Sequence, residues 1–165
     1  MITRAAKILL LAAIALFYVL TVFNNVTDFN SNYQFVRHVL MMDSTFPGNH
    51  GMWRALPSPA FHLVFFLSII LWEAATMILL WWGVLRLLRA LRQPAAAFNA
   101  AKRIAVMALT LSMLMWLVAF LTVGAEWFLM WQSKTWNGQE PAFRMFAVAG
   151  LVLLILMQPE SEAQP

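Results

Sequence analysis

Apolar positions along the chain gather into four long runs, at about 8–28, 61–88, 104–131 and 142–157, separated by shorter polar segments. A helix needs on the order of 20 predominantly apolar residues to cross a bilayer core, so each run predicts a transmembrane helix, the fourth near the minimum length. Helices are the only spanning form open to such runs, because lipid offers no hydrogen-bond partner and every backbone group must be satisfied within its own segment. The first run has a basic head, as a secretory signal would. Its only A-x-A falls inside the apolar stretch, at 13–15, so it predicts an uncleaved span. Pro57 and Pro59 suit the start of the second helix, which is long enough to imply tilt. The polar tail after Gln158 is expected to fray.

Between the first two runs lies a patterned loop. In NYQFVRHVLMMD, residues 32–43, apolar Phe35, Val36, Val39, Leu40 and Met42 recur at helical spacing among Gln34, Arg37, His38 and Met41. This predicts a short amphipathic helix on the membrane surface. The STFPGNHG that follows has the composition of a turn and leads to Trp53, an interfacial anchor. The expected fold class is therefore all-α, an integral membrane four-helix bundle with a short amphipathic helix in its first outer loop, forming one domain over 1–165.

Composition agrees: 62% of the 165 residues are hydrophobic and 11% charged, well outside the balance of a soluble domain. The net charge of +4 does not point to nucleic acid, because the basic residues flank the apolar runs, where they act as topology signals and lipid-headgroup partners. Arg4, Lys7, Arg86, Arg89, Arg92, Lys102 and Arg103 fall on one side. The smaller set of Arg37, Arg54, Lys134 and Arg144 falls on the other. By the positive-inside rule both termini are cytoplasmic and the long loop faces outward. The chain has no cysteine, which excludes disulfides, thiolate metal sites and cysteine nucleophiles.

Candidate chemistry lies in the polar residues inside the runs. FFLSIILWEAATMILLWW, at 65–82, carries Glu73 near its middle, and at about 100° per residue His62 and Thr76 lie on or near the same face. A charge at the bilayer centre costs at least about 2.5–3.5 kcal/mol, so Glu73 is expected to face the bundle, and an intramembrane acid is a functional candidate by default. On the third run Ala101, Ala105, Ala108, Ser112, Ala119 and Glu126 form one stripe with Thr122 beside it. Small residues at that spacing mark a close helix–helix approach and offer a face for a partner membrane protein. The stripe also turns Glu126 inward, where Arg144 on the fourth run is its expected ion-pair partner and Glu73 is left without an obvious one. Thr21, Asn24, Asn25 and Asp28 cluster at the outer end of the first run. Pocket and proton-binding candidates are thus Glu73, His62, Asp28, Asn25, Glu126 and Arg144.

Structural readings stand beside these. Glu73 as a neutral hydrogen-bonded carboxyl, and Glu126 with Arg144 as a register-setting bridge, need no ligand. Haem held by His62 would require a second inward histidine at matching depth, which no other run supplies. Imidazole and thioether in the loop (His38, Met41, Met42, His50, Met52) suit copper, yet the two adjacent methionines equally fit a surface helix. Asn25-Val-Thr27 matches a glycosylation sequon but sits where it would satisfy a helix terminus. Tryptophans at the run ends suit an aromatic belt. No nucleophile–base pair, phosphate loop or HExxH occurs, so no enzyme, cofactor or metal is expected.

The stretches FNNVTDFNSNYQFVRHVLMMDSTFPGN and PSPAFHLVFFLSIILWEAAT resemble the bacterial predicted small integral membrane proteins grouped as domain of unknown function 2165, over essentially the whole chain. The resemblance implies a four-span protein of the bacterial inner membrane and carries no activity. Asn25, Asp28, Asp43, His62 and Glu73 carry over as members of its recognisable motifs. Two functions fit the pattern. One is a small proton-coupled transporter or membrane factor with an outward polar pocket. The other is a non-catalytic accessory or assembly subunit of a larger membrane complex. The lipid bilayer is a partner in both.

Overall fold

The computed structural model describes residues 1–161, and helices are its only regular elements among them. In chain order these are α1 (Ile2–Thr27), α2 (Phe29–Met41), α3 (Pro59–Ala90), α4 (Ala95–Ala101), α5 (Arg103–Leu114), a wider helix π1 (Met115–Trp127) and α6 (Gln139–Met157), with single 3₁₀ turns at Met52–Arg54 and Met130–Gln132. Because α4, α5 and π1 follow one another almost without interruption, four helical stretches of 26, 32, 33 and 19 residues are long and apolar enough to cross a membrane. At 1.5 Å per residue α6 spans about 28 Å, barely the roughly 30 Å hydrocarbon core, whereas α3 at about 48 Å must tilt or project beyond it. Most helices run past the apolar stretches that predict them, since polar flanks keep helical hydrogen bonds after hydropathy has fallen. The third is the exception at its far end. It stops at Trp127, and Leu129 then takes a left-handed φ of 53°.

Helix α1 packs on α3, α3 on α5, and α5 with π1 on α6, which closes the ring against α1. Lipid supplies no hydrophobic drive between helices, so close approach depends on small side chains. At Gly83 of α3 a Cβ would stand 3.0 Å from the Cα of Ala105, so the absence of a side chain there permits a close α3–α5 approach. Ala101, Ala105, Ala108 and Ser112 are all buried inside this bundle and Ala119 is half-buried. The stripe is therefore a packing face as expected, but its partners are helices of the same chain, and it offers no free surface to another protein.

The bundle has a basic end and a capped end. At the capped end α2 crosses over α3 and π1, with Phe29 and Tyr33 against Phe66 of α3 and Phe35 against Phe120 of π1. Its apolar positions Val39 and Leu40 are buried, as the loop pattern predicts. The first loop folds back on α2, Leu56 N–H donating to Leu40 O at 2.8 Å, and locks to the second loop, Ser44 Oγ donating to Ser133 Oγ at 2.8 Å and Phe46 N–H to Gln132 Oε1 at 3.0 Å. The Arg54 guanidinium donates to Trp127 O at 3.0 Å and lies against the rings of Trp53 and Trp127, so a cation closes the carbonyl end of π1.

Candidate functional site

The polar side chains inside the spans meet in pairs. Glu73 is 3% exposed on the inner face of α3, and Asn25 of α1, 7% exposed, donates its Nδ2–H to Glu73 Oε2 at 2.6 Å. The expectation that Glu73 faces inward holds, while the expectation that it lacks a partner does not. Of the four polar residues at the end of α1 only Asn25 is buried. It shares a seven-residue spacing with buried Leu11 and Tyr18, which fixes its side of the helix. Thr76 donates to Trp72 O of its own helix at 2.8 Å, and His62 is bonded through Nε2 to the loop carbonyl of Leu56 at 2.6 Å. His62 therefore anchors the cap, and its Nδ1 is buried with no hydrogen-bond partner among the described residues.

A second polar cluster lies outside the pocket candidates that the sequence pattern singles out. Tyr18 has no exposed surface; its hydroxyl lies 2.8 Å from Ser112 Oγ and accepts the indole N–H of Trp116 at 3.1 Å. The cluster joins α1 to the third span across the middle of the bundle. Ser112 thus has a hydrogen-bonding role in addition to its small size. The signal available was Tyr18 itself, a phenol in the middle of an apolar run, whose hydroxyl needs a partner when buried.

Three expectations fail on geometry. Glu126 is exposed, and among the described residues it forms no salt bridge. Arg144 is exposed and pairs with Glu140 at 2.7 Å, one turn away on its own helix. Asp28 is exposed at the α1–α2 junction, where it accepts a hydrogen bond from Ser31 Oγ at 2.9 Å. The reason for Glu126 lies in π1. A helix bonded i→i+5 turns less per residue than an α-helix, and a deficit of roughly 15° per residue over about a dozen residues accumulates to roughly half a turn. The face extrapolated from Ala101 to Glu126 therefore rotates outward before it arrives.

The expected polar pocket beneath the loop helix is instead an apolar cavity of about 240 Å³. Phe35, Val36, Val39 and Leu40 of α2 roof it. Phe65, Ser68, Ile69 and Trp72 of α3 form one wall, and Val118, Ala119, Phe120 and Val123 of π1 the other. It exists because α3 packs closely along α5 but hardly touches π1, so the second and third spans part toward the cap. Phe65 and Ser68 are exposed at its edge, which puts the opening between two spans and toward lipid. Trp72 fastens the floor, donating its indole N–H to Leu111 O at 3.1 Å just below the start of π1.

No group of three or more His, Asp or Glu side chains among the described residues is placed to hold a metal ion. Of the loop residues considered for copper, His38 bonds Asp43 through Nδ1 at 2.7 Å and stacks on Trp136 at 4.6 Å, and Met42 is buried.

Four long apolar helices, buried polar side chains that meet in pairs within the bundle and a lipid-side apolar cavity define a small all-α integral membrane protein that contacts lipid over much of its surface. The model of the family described as predicted small integral membrane protein (DUF2165) matches residues 3–159, and the chain belongs to that family. Neither a curated protein nor a solved structure matches it.

Proposed function

We propose that the chain is a non-catalytic accessory factor of the bacterial inner membrane that holds a single apolar chain, of the kind carried by lipids and lipid-linked compounds, in the cavity between α3 and π1. The cavity carries the reading. Its lining is almost wholly apolar, it opens between spans, and the amphipathic helix α2 roofs it. Apolar cavities of about 150 Å³ already take up benzene-sized ligands, so about 240 Å³ accommodates a longer stretch of hydrocarbon. The distribution of Lys and Arg supports the capped end facing the periplasm and both termini the cytoplasm. In this reading Glu73–Asn25 and Tyr18–Ser112–Trp116 are ties that fix the bundle around the cavity.

The test is photolabelling with a phospholipid bearing a diazirine on its acyl chain. Labelled peptides should concentrate at residues 65–72 and 118–124, and Ala119→Phe, which fills the cavity, should remove that label. Labelling spread evenly over lipid-facing positions such as Leu71, Leu151 and Leu154, and unchanged by Ala119→Phe, would overturn the proposal. An accessory role in a larger complex further predicts co-purification with another membrane protein in mild detergent, through a surface other than the internal alanine stripe.

A second reading, a small proton-coupled transporter, is favoured by one observation: Glu73 is a carboxyl buried within the spans. Against it, Asp28 and Glu126 are exposed away from Glu73, and His62 is committed to the cap. Equal substrate-dependent proton movement by wild-type and Glu73→Gln proteoliposomes would remove Glu73 from any such mechanism.

A further inference from the structure

At the basic end, three cations from two separate segments converge on the chain's tail. Lys7 of α1 donates from Nζ to Gln158 O at 2.7 Å and to Glu160 Oε1 at 2.5 Å. Lys102, between α4 and α5, donates to the same Gln158 O at 2.7 Å and to Asn99 Oδ1 at 2.8 Å. Arg4 approaches Glu160 Oε2 at 3.6 Å, and its guanidinium lies 4.9 Å from the ring centre of buried Phe98. Lys7 and Lys102 are each only 6% exposed. Two ammonium groups sharing one carbonyl repel each other, and lysines are almost never this buried unless paired. Among the described residues one carboxylate, that of Glu160, meets these three cations, so within them positive charge exceeds negative.

The occupant of the socket is a segment of unusual kind for such a place. Glu160 lies beyond the end of α6 and past Pro159, so no helix holds it. Among the described residues its backbone is tied to Asn99, through Glu160 N–H to Oδ1 and Nδ2–H to Glu160 O, each at 3.1 Å. Burial alone would raise the Glu160 carboxyl, but the hydrogen bond and charge of Lys7, and then the charges of Lys102 and Arg4, outweigh it and hold the carboxyl below its ordinary 4.5. Beside the carboxylate a cavity of about 710 Å³ lies between α1 and α6, lined by Arg4 and Lys7 on one side and by Ile155 and Met1 on another. The charged socket thus continues into a slot of mixed lining, in which Met1 and Ile155 supply apolar surface.

We propose that Arg4, Lys7 and Lys102 form a binding site for a phosphate-bearing anion, and that Glu160 is a built-in competitor which such an anion displaces. A phosphate group presents more acceptor oxygens than one carboxylate and, as a monoester or free phosphate, more negative charge, so it satisfies three converging cations better. The adjoining slot beside Ile155 favours a phosphate carried on a lipid. Basic sockets between spans at a protein's positively charged end are suited to such headgroups. This site lies at the opposite end of the bundle from the cavity between α3 and π1 and stands independently of it.

The experiment uses the full chain in nanodiscs of phosphatidylcholine, with and without phosphatidylglycerol, and separately with inorganic phosphate. Because the chain has no native cysteine, a spin label at Ser161→Cys reports the tail alone. Phosphatidylglycerol should mobilise the label where phosphatidylcholine does not, and release by inorganic phosphate alone would identify the free anion as the source. Glu160→Gln should tighten headgroup binding, measured by native mass spectrometry, by about tenfold, the scale of one charge-assisted hydrogen bond. Lys102→Gln should weaken it by a similar factor, and Lys102→Arg, which keeps charge and fold, should retain it. A label indifferent to both phosphatidylglycerol and inorganic phosphate, or a Glu160→Gln protein that binds phosphatidylglycerol no better than wild type, overturns the proposal.

Discussion

Replacing Asn25 by Leu tests whether Glu73 is held as a structural acceptor. The substitution nearly conserves volume, so little cavity energy enters, but it removes the Nδ2–H that meets Glu73 Oε2 at 2.6 Å. In a water-soluble protein, stranding a buried acceptor costs about 1–3 kcal/mol. In lipid the reference state also finds partners, and measured couplings average about 0.6 kcal/mol with a maximum of about 1.7. The membrane figure is the relevant one, because the unfolded helices remain in the bilayer. The expected loss for Asn25→Leu is therefore about 0.6–1.7 kcal/mol, roughly a threefold to twentyfold shift in the unfolding equilibrium. Glu73→Gln retains an acceptor oxygen of the same shape and should cost less than Asn25→Leu. Asn25→Leu with Glu73→Leu removes both partners and should recover most of the loss, giving a non-zero coupling in a double-mutant cycle. Unfolding by sodium dodecyl sulfate in mixed micelles, followed by the fluorescence of the eight tryptophans, measures all five proteins, wild type and the single Glu73→Leu variant included. Strict additivity of the two leucine substitutions would refute the pairing. A Glu73→Gln protein as unstable as Asn25→Leu would show that the carboxyl's charge, not its acceptor geometry, is what the bundle uses.

Three further outcomes are expected. Gly83→Ala should destabilise by about 1–3 kcal/mol, because its methyl would stand 3.0 Å from Ala105 Cα, and Ala105→Gly in the same protein should restore part of the loss in the same unfolding assay. Tyr18→Phe leaves the Trp116 indole N–H and the Ser112 hydroxyl without their shared partner and should cost about 0.6–1.7 kcal/mol for each lost bond, the same membrane scale as for Asn25. In that background Ser112→Ala should add less than it does alone. Tail docking should depend on pH with a definite sign: Glu160 is depressed in the docked state, so docking is fully favourable above 4.5 and is lost as pH falls through the lowered value. Spin-label mobility at Ser161→Cys during acidification reads this directly, and a tail that docks more firmly in acid would contradict it.

The sequence made the spans and α2 legible for the same reason: both are periodicity signals that survive errors of a residue or two at the ends. Glu73 was legible because Pro59–Ala90 is one uninterrupted α-helix, so 100° per residue carries the face correctly from His62 to Glu73. Asn25 was half legible. It was grouped with Thr21, Asn24 and Asp28, and only its seven-residue spacing from Leu11 and Tyr18 separates the buried amide from its exposed neighbours. The partner of His62 is the backbone carbonyl of Leu56, and no side-chain pattern announces a carbonyl. The tail was expected to fray after Gln158, yet residues 158–161 are described and Glu160 is bound; the rest of that expectation, 162–165, lies outside the described residues. The failures of Glu126 and of the polar pocket share one origin, π1, whose composition of Trp, Leu, Val, Phe and Ala is that of any membrane span.

That wider helix links the features at the capped end. Thirteen residues of i→i+5 bonding are far beyond the single-turn insertions in which this geometry is ordinarily found. One effect is to turn Glu126 out of the bundle, so the third span delivers no charge to its core. Another lies at the junction with α5, where Leu111 O serves Trp72 Nε1–H as well as the local backbone, tying α3 to the third span just before π1 begins. Above that tie α3 and π1 separate, and α2 bridges the gap through Phe66 on one side and Phe120 on the other. An ordinary α-helix in place of π1 would restore the extrapolated stripe, bring Glu126 inward and alter the wall of the cavity. The cavity is thus a product of backbone geometry and not of missing side chains. Its lining is already large, with Phe35, Phe65, Trp72, Phe120 and Phe128 around it, and it persists despite them. A packing fault would be removed by enlarging Ala119 at no loss beyond the site. A cavity maintained by π1 to receive an apolar chain would lose its ligand when Ala119 is enlarged while the bundle gains or keeps stability, and that opposition between binding and stability separates the two.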